Sequence, residues 1–138
     1  MAKAAAMYML DTNAISDAVK HPNGSVAHHL SMLLPGQAVT SVIVEGELRY
    51  GIAKASATSI ERRVNALLTF IEALDVNDAV AKRYGLLRAY LSRKGTAIGM
   101  NDLWIAAHAL ELGLIVVTDN ESEFLRVPGL IVENWVKA

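Results

Sequence analysis

The chain has 138 residues, 53% of them hydrophobic and 20% charged, with a formal net charge of −1. That suffices for one domain with a sizeable core, is too apolar for a disordered chain, and leaves only a local basic patch for contact with nucleic acid. The absence of cysteine excludes disulfides, thiolate chemistry and cysteine-bound zinc.

Residues 1–6 carry one lysine and several alanines and read as a loose tail on a single domain spanning 1–138. The apolar run that follows is cut short by Asp11, which argues against a signal peptide, and no uncharged stretch is apolar enough to span a membrane. The chain is expected to work in the cytoplasm.

Met7 to Leu10 predicts a buried first strand ending at Asp11, with Thr12 or Asn13 capping a helix over residues 14–20. A turn at His21-Pro22-Asn23-Gly24 leads to a second helix over 25–34, with Val26, Leu30, Leu33 and Leu34 facing inward. Residues 37–41 read as a short strand. The third helix, over 43–54, places Val44, Leu48 and Ile52 on one apolar face and Glu47 on a neighbouring one. Thr58 and Glu61 have capping-box spacing ahead of a helix over 60–70. A weak strand at 73–76 precedes a long helix capped by Asn77 or Asp78 and stopped by Gly95. Asp102 is expected to open an alanine-rich helix that ends at Gly113. Residues 114–118 are the clearest buried strand. A helical turn over 121–125 and a last extended run at 130–132 complete the chain. Strands alternating with helices predict a three-layer α/β/α domain on a mainly parallel sheet of about five strands, of undetermined order. Right-handed crossovers would bring the exits of the first strand and of the strand ending near Val117 to one rim.

Acidic or polar residues follow several of these elements. Asp11 ends a strand, Glu47 lies early in a helix, Asp102 opens one, and Asp119, Asn120 and Glu123 follow the strongest strand. Clustered carboxylates raise one another's pKa values unless a cation compensates. Oxygen donors without cysteine suit Mg²⁺ or Mn²⁺ and hence phosphoryl transfer. Each residue also has an ordinary reading. Asp11 can be a turn or cap residue, Glu47 a solvated glutamate, Asp102 a favourable charge at a helix start, and Asp119-Asn120 a turn. The histidines offer no zinc pattern: His21, His28 and His29 sit near the second helix, and His108 stands alone on a later one.

Taken jointly, the segments Met9-Leu10-Asp11-Thr12-Asn13, Ser41 through Gly51, Asn101 through Ala109, Leu114 through Asn120 with Glu123-Phe124, and Gly129-Leu130 through Asn134-Trp135 resemble a PIN-domain ribonuclease of the VapC toxin type. The resemblance implies an α/β/α fold and Mg²⁺- or Mn²⁺-dependent cleavage of a structured RNA such as tRNA or ribosomal RNA. It puts the acids on Asp11, Glu47 and Asp102. A fourth position falls on Asn120, with Asp119 or Glu123 as alternative ligands. Asn13 and Thr118 are implied as supporting hydrogen-bonding groups. Arg49, Lys54, Arg93 and Lys94 are candidates for RNA phosphate, although Arg49 can equally pair with Glu45. A homodimer and a cognate VapB-like antitoxin are implied as partners. Two rivals remain at this level: a non-catalytic regulator on the same fold, and an acidic α/β phosphatase with Asp11 as nucleophile, against which Asn13 stands where a second aspartate would be needed.

Overall fold

The computed structural model describes residues 3–137. In chain order the elements are β1 (Tyr8–Leu10), α1 (Thr12–Lys20), α2 (Ser25–Ser31), β2 (Ala38–Ser41), α3 (Val42–Ala55), α4 (Thr58–Phe70), β3 (Glu72–Leu74), α5 (Asp78–Lys94), α6 (Met100–Leu112), β4 (Ile115–Val117), α7 (Glu121–Phe124) and β5 (Val132–Glu133). The strands form one sheet in the order β3-β2-β1-β4-β5, and every neighbouring pair is parallel. The expected class of fold is therefore the one observed, with the strand order now fixed.

Chain direction determines where a site can form. From β1 the chain moves outward through β2 to β3, then crosses back to lay β4 on the other side of β1. Such a reversal leaves a crevice at the carboxyl ends of the strands. Leu10 is in register with Val117, so the residues that follow them, Asp11 and Thr118, emerge side by side. The Asp11 amide bonds the Val117 carbonyl at 3.0 Å.

The central strands are short but wholly apolar where they cross the core. Met9, Leu10, Val116 and Val117 are fully buried, as strands covered on both faces require. Helices α1, α3 and α4 pack on one another, α5 packs along α6, and α3 also meets α6. Tyr84 of α5 stacks on Trp104 of α6 with ring centroids 3.8 Å apart. Among the described residues no helix is long and apolar enough to cross a membrane.

Several local expectations are corrected. Asp11 itself, rather than Thr12 or Asn13, caps α1, its Oδ1 accepting from the Ala14 amide at 2.9 Å. Ala57 precedes α4 and no side chain caps it, so the Thr58–Glu61 capping box does not form. The preceding residue but one, Ser56, ends α3 in the left-handed conformation, and the tight reversal puts Thr58 inside the helix. Helix α6 starts at Met100, two residues before Asp102. Leu34 lies beyond the end of α2 and is exposed, so it does not join the inner face. The last strand is shifted to Val132–Glu133, where Val132 pairs with Val116. The start of the chain is tied down from Lys3 onward: the Ala4 amide donates to the Pro35 carbonyl at 2.9 Å. That approach requires glycine at 36, where φ is +94° and a Cβ would meet the Ala4 carbonyl oxygen at 2.7 Å. Met1, Ala2 and Ala138 lie outside the described residues.

Candidate active site

Asp11 is fixed before any ligand arrives. It is only 2% exposed. Its Oδ1 takes the Ala14 amide as the α1 cap, and its Oδ2 accepts from the Thr118 hydroxyl at the end of the neighbouring strand. Thr118 is in turn oriented by the Asn120 amide, which donates to its Oγ1 at 2.9 Å. Burial pushes the Asp11 carboxyl up to about 6, against the opposing pull of Thr118 and the Ala14 amide, and the Glu47 charge adds to the rise.

Glu47 reaches the same rim from α3. Ser41 ends β2 and caps that helix, its Oγ accepting from the Ile43 amide at 3.1 Å. Glu47 Oε1 accepts from the Thr12 hydroxyl, and Oε2 from the Asn101 amide group at 3.2 Å. The first turns of α1 and α6 thus orient one carboxylate between them.

Asp102 enters from α6 and is half-buried. Burial raises its carboxyl to about 6, and the charges of Glu123, Asp11 and Glu47 push in the same direction. Asn120 Nδ2 bridges two acids, donating to Asp102 Oδ2 at 3.4 Å and Glu123 Oε2 at 2.7 Å. The Gly99 amide donates to Glu123 Oε1 and holds that carboxyl below the usual range. The Glu123 charge is one of those that push the Asp102 carboxyl up. The Gly99 backbone comes close to this carboxylate: a Cβ at that position would stand 3.3 Å from Glu123 Oε1.

The structure thus links Asp11, Thr118, Asn120, Asp102 and Glu123 by hydrogen bonds and brings the Glu47 charge to bear on Asp11 and Asp102. It does not bring in Asp119, whose Oδ1 accepts from Asn134 Nδ2 at 3.0 Å. Asn13 is exposed, and its contribution is a backbone hydrogen bond to Asp11. Among the basic candidates, Arg49 is engaged elsewhere, donating to Glu45 at 3.2 Å and to Asn65 of α4 at 2.7 Å. Lys54 lies 5.9 Å from the Tyr50 ring centroid and Lys94 lies 5.7 Å from that of Tyr90. Arg93 and Lys94 occupy the last turn of α5.

Three contributors escaped the sequence reading in these roles: Thr12, Asn101 and His108. Thr12 and Asn101 each stand beside an expected acid in sequence, yet both serve Glu47. His108 is buried rather than isolated, and its Nδ1 lies 2.9 Å from Ser41 Oγ. Its setting between Ala107 and Ala109, both fully buried, is the sequence signal that it faces the interior.

The donors are all oxygens, and their charges oppose one another, which fits a hard divalent cation. Among the described residues no three carboxylate or imidazole groups close on one point as direct ligands.

Comparison with known proteins adds a lineage to this geometry. The PIN domain family model matches residues 8–130. The chain is 42% identical over 136 residues to Ribonuclease VapC2 of Rickettsia felis, covering 95% of this chain and 99% of that protein. It is 36% identical to the tRNA(fMet)-specific endonuclease VapC of Salmonella typhimurium, covering 93% and 97%. Among solved structures it superposes with a TM-score of 0.86, at 39% identity and covering 94% and 98%, on a chain of VapBC2 from Rickettsia felis bound to a promoter DNA fragment.

Proposed function

This chain belongs to the PIN-domain family, as a ribonuclease of the VapC type, and on that premise we propose that its acidic rim holds Mg²⁺ or Mn²⁺ and cleaves a structured cellular RNA. The observation that carries the reading is the linked set Asp11, Glu47, Asp102 and Glu123 at the carboxyl edge of the sheet, with two members raised to about 6. Family membership also removes the phosphatase alternative.

Asp11, Glu47 and Asp102 would hold the cation, with water completing its shell. Asn120 and Glu123 complete the rim, in preference to Asp119. A bound divalent cation supplies an activated water and neutralises charge during in-line displacement at phosphorus. The chain's own contribution is preorganisation. Thr118 and the Ala14 amide fix Asp11, Thr12 and Asn101 fix Glu47, and Asn120 holds Asp102 at a set distance from Glu123. Lys54, Arg93 and Lys94 remain as contacts for RNA phosphates, whereas Arg49 braces α3 against α4.

The substrate class is an RNA whose fold presents a single-stranded loop, tRNA or ribosomal RNA. The Salmonella typhimurium relative, named for tRNA(fMet), supports tRNA. A VapB-like antitoxin and a homodimer are the proposed partners in the cytoplasm, supported by the likeness to a toxin–antitoxin complex. A groove lined by Val19, Leu48, Ile52 and Ile60 has Glu47 in its wall and suits an apolar antitoxin segment.

Mapping of new RNA 5′ ends in cells tests this reading. Induction of the wild type should create one or a few dominant ends, absent after induction of Asp11→Asn. Identical end maps for the two would reject it.

A further inference from the structure

The buried polar residues among those described are five: Asp11, Thr40, Ser41, His108 and Thr118. Such groups are costly to bury without partners, so their placement is informative. All but His108 lie at the carboxyl ends of β1, β2 and β4, directly beneath the acidic rim. Thr118 donates to Asp11, and the Thr40 hydroxyl donates to the Leu10 carbonyl at 2.7 Å, fixing the strand end that presents Asp11. The remaining two bond to each other, His108 Nδ1 to Ser41 Oγ at 2.9 Å.

The direction of these bonds can be worked out from donors and acceptors. The Asp75 backbone and its carboxylate, in the loop between β3 and α5, also act on the His108 ring, both favouring a ring N–H directed at them. A neutral ring with its proton on Nε2, on the Asp75 side, has Nδ1 as the acceptor for the Ser41 hydroxyl, and this is the tautomer we assign. The Ser41 oxygen still has lone pairs for the Ile43 amide at 3.1 Å. In that tautomer the two bonds run in series, Ile43 N–H to Ser41 Oγ and Ser41 O–H to His108 Nδ1. Burial holds the imidazole below its ordinary range against the opposing pull of the Asp75 backbone and carboxylate, in keeping with a neutral ring.

We propose that His108 is a positioning residue for Glu47, locking the Ser41 hydroxyl as the cap of α3 and so fixing that helix against α6. These two helices carry Glu47 and Asp102, and Asn101 of α6 donates to Glu47 directly. A displaced α3 start would therefore move one acid relative to another. The inference rests on the reading of Glu47 as a cation-holding residue.

The experiment titrates Mn²⁺ by calorimetry into the purified full chain, alongside single-turnover RNA cleavage and thermal melts. The proteins are wild type, Glu47→Gln, Ser41→Ala, His108→Leu, His108→Asn and the Ser41→Ala/His108→Leu double variant. Ser41→Ala and His108→Leu should each weaken Mn²⁺ binding about 10-fold and slow the cleavage step, with KM little changed. The double variant should lose no more than the worse single, because both remove one linkage. His108→Asn, whose Oδ1 can accept from Ser41, should recover most of the loss. If the folded Ser41→Ala and His108→Leu proteins melt earlier yet bind Mn²⁺ and cut RNA as the wild type does, the pair is only structural and the proposal fails. Should His108→Leu not fold, Ser41→Ala decides alone. Glu47→Gln separates the two levels: unchanged Mn²⁺ binding there overturns the cation site itself, whereas loss there with normal binding in the Ser41 and His108 variants overturns only the positioning role.

Discussion

Asp11 caps a helix and carries a buried negative charge, and these two jobs respond differently to substitution. Its carboxyl titrates at about 6 in the fold, against an ordinary 3.8. The folded state therefore binds more protons than the unfolded chain between pH 4 and pH 6, so stability falls as pH rises through that window. Above it, the cation-free protein carries a cost of about 3 kcal/mol from this residue. Asp11→Asn keeps the cap, because asparagine accepts the Ala14 amide equally well. We predict that it raises cation-free stability at pH 8 by up to about 3 kcal/mol, that the gain vanishes near pH 4, and that cleavage falls at least about 100-fold. Urea melts at the two pH values measure the first part. A destabilised, well-folded Asp11→Asn at pH 8 would contradict the burial argument.

Protons and cations also compete for these carboxyls. Asp11 and Asp102 both hold protons near pH 6, each chiefly because of burial. Cleavage at limiting Mg²⁺ should drop as pH is lowered from 7.5 to 5.5, and raising Mg²⁺ should restore much of it. A pH profile indifferent to cation concentration would count against metal binding by this pair.

At the scale of elements, periodicity and caps made most of the scaffold legible. The strand before Asp11, the Val44, Leu48 and Ile52 face of α3, and the Gly95 and Gly113 stops all emerge as expected. Asn77 caps α5 through its Oδ1, which accepts from the Val80 amide at 3.0 Å. Asn77→Ala should lower stability by about 1 kcal/mol and leave cleavage per folded molecule unchanged, since α5 bears none of the acids and Arg93 and Lys94 lie at its opposite end. Where the reading missed, a neighbour intervened. The reversal at Ser56 takes Thr58 past the capping position, and Asp11 displaces Thr12 as cap, leaving the Thr12 hydroxyl to Glu47. The bonds that orient the site span 35, 54, 67 and 107 residues of sequence, from Thr12 and Asn101 to Glu47, His108 to Ser41, and Thr118 to Asp11. Helical or strand periodicity carries no information at such separations, which is why Thr12, Asn101 and His108 could not be assigned to their partners, while Thr118 entered only through the family resemblance. Asp119 shows the same limit in reverse: adjacency to Asn120 suggested a ligand, but β5 brings Asn134 to it first.

At the scale of the molecule, the order β3-β2-β1-β4-β5 makes the acids converge. The central strand β1 delivers Asp11 between two neighbours. From β2 on one side come α3 and Glu47, and from β4 on the other come Thr118, Asn120 and Glu123. Helix α6, which returns the chain across the sheet, adds Asp102. One consequence is that cation binding reports on the whole fold. Mg²⁺ or Mn²⁺ should raise the melting temperature, and more so at pH 8 than at pH 5, where protons already offset the repulsion.

In the proposed mechanism Asp102, brought by the return crossover, acts with Asp11 and Glu47 on RNA through a divalent cation. Purified wild type and Asp102→Asn, each shown to be folded by circular dichroism, should be compared on one RNA substrate with Mg²⁺ and with excess chelator. The wild type should cut only with the cation, and Asp102→Asn should be slower by about 100-fold or more at saturating RNA. A folded Asp102→Asn protein that cuts at the wild-type rate would contradict the account.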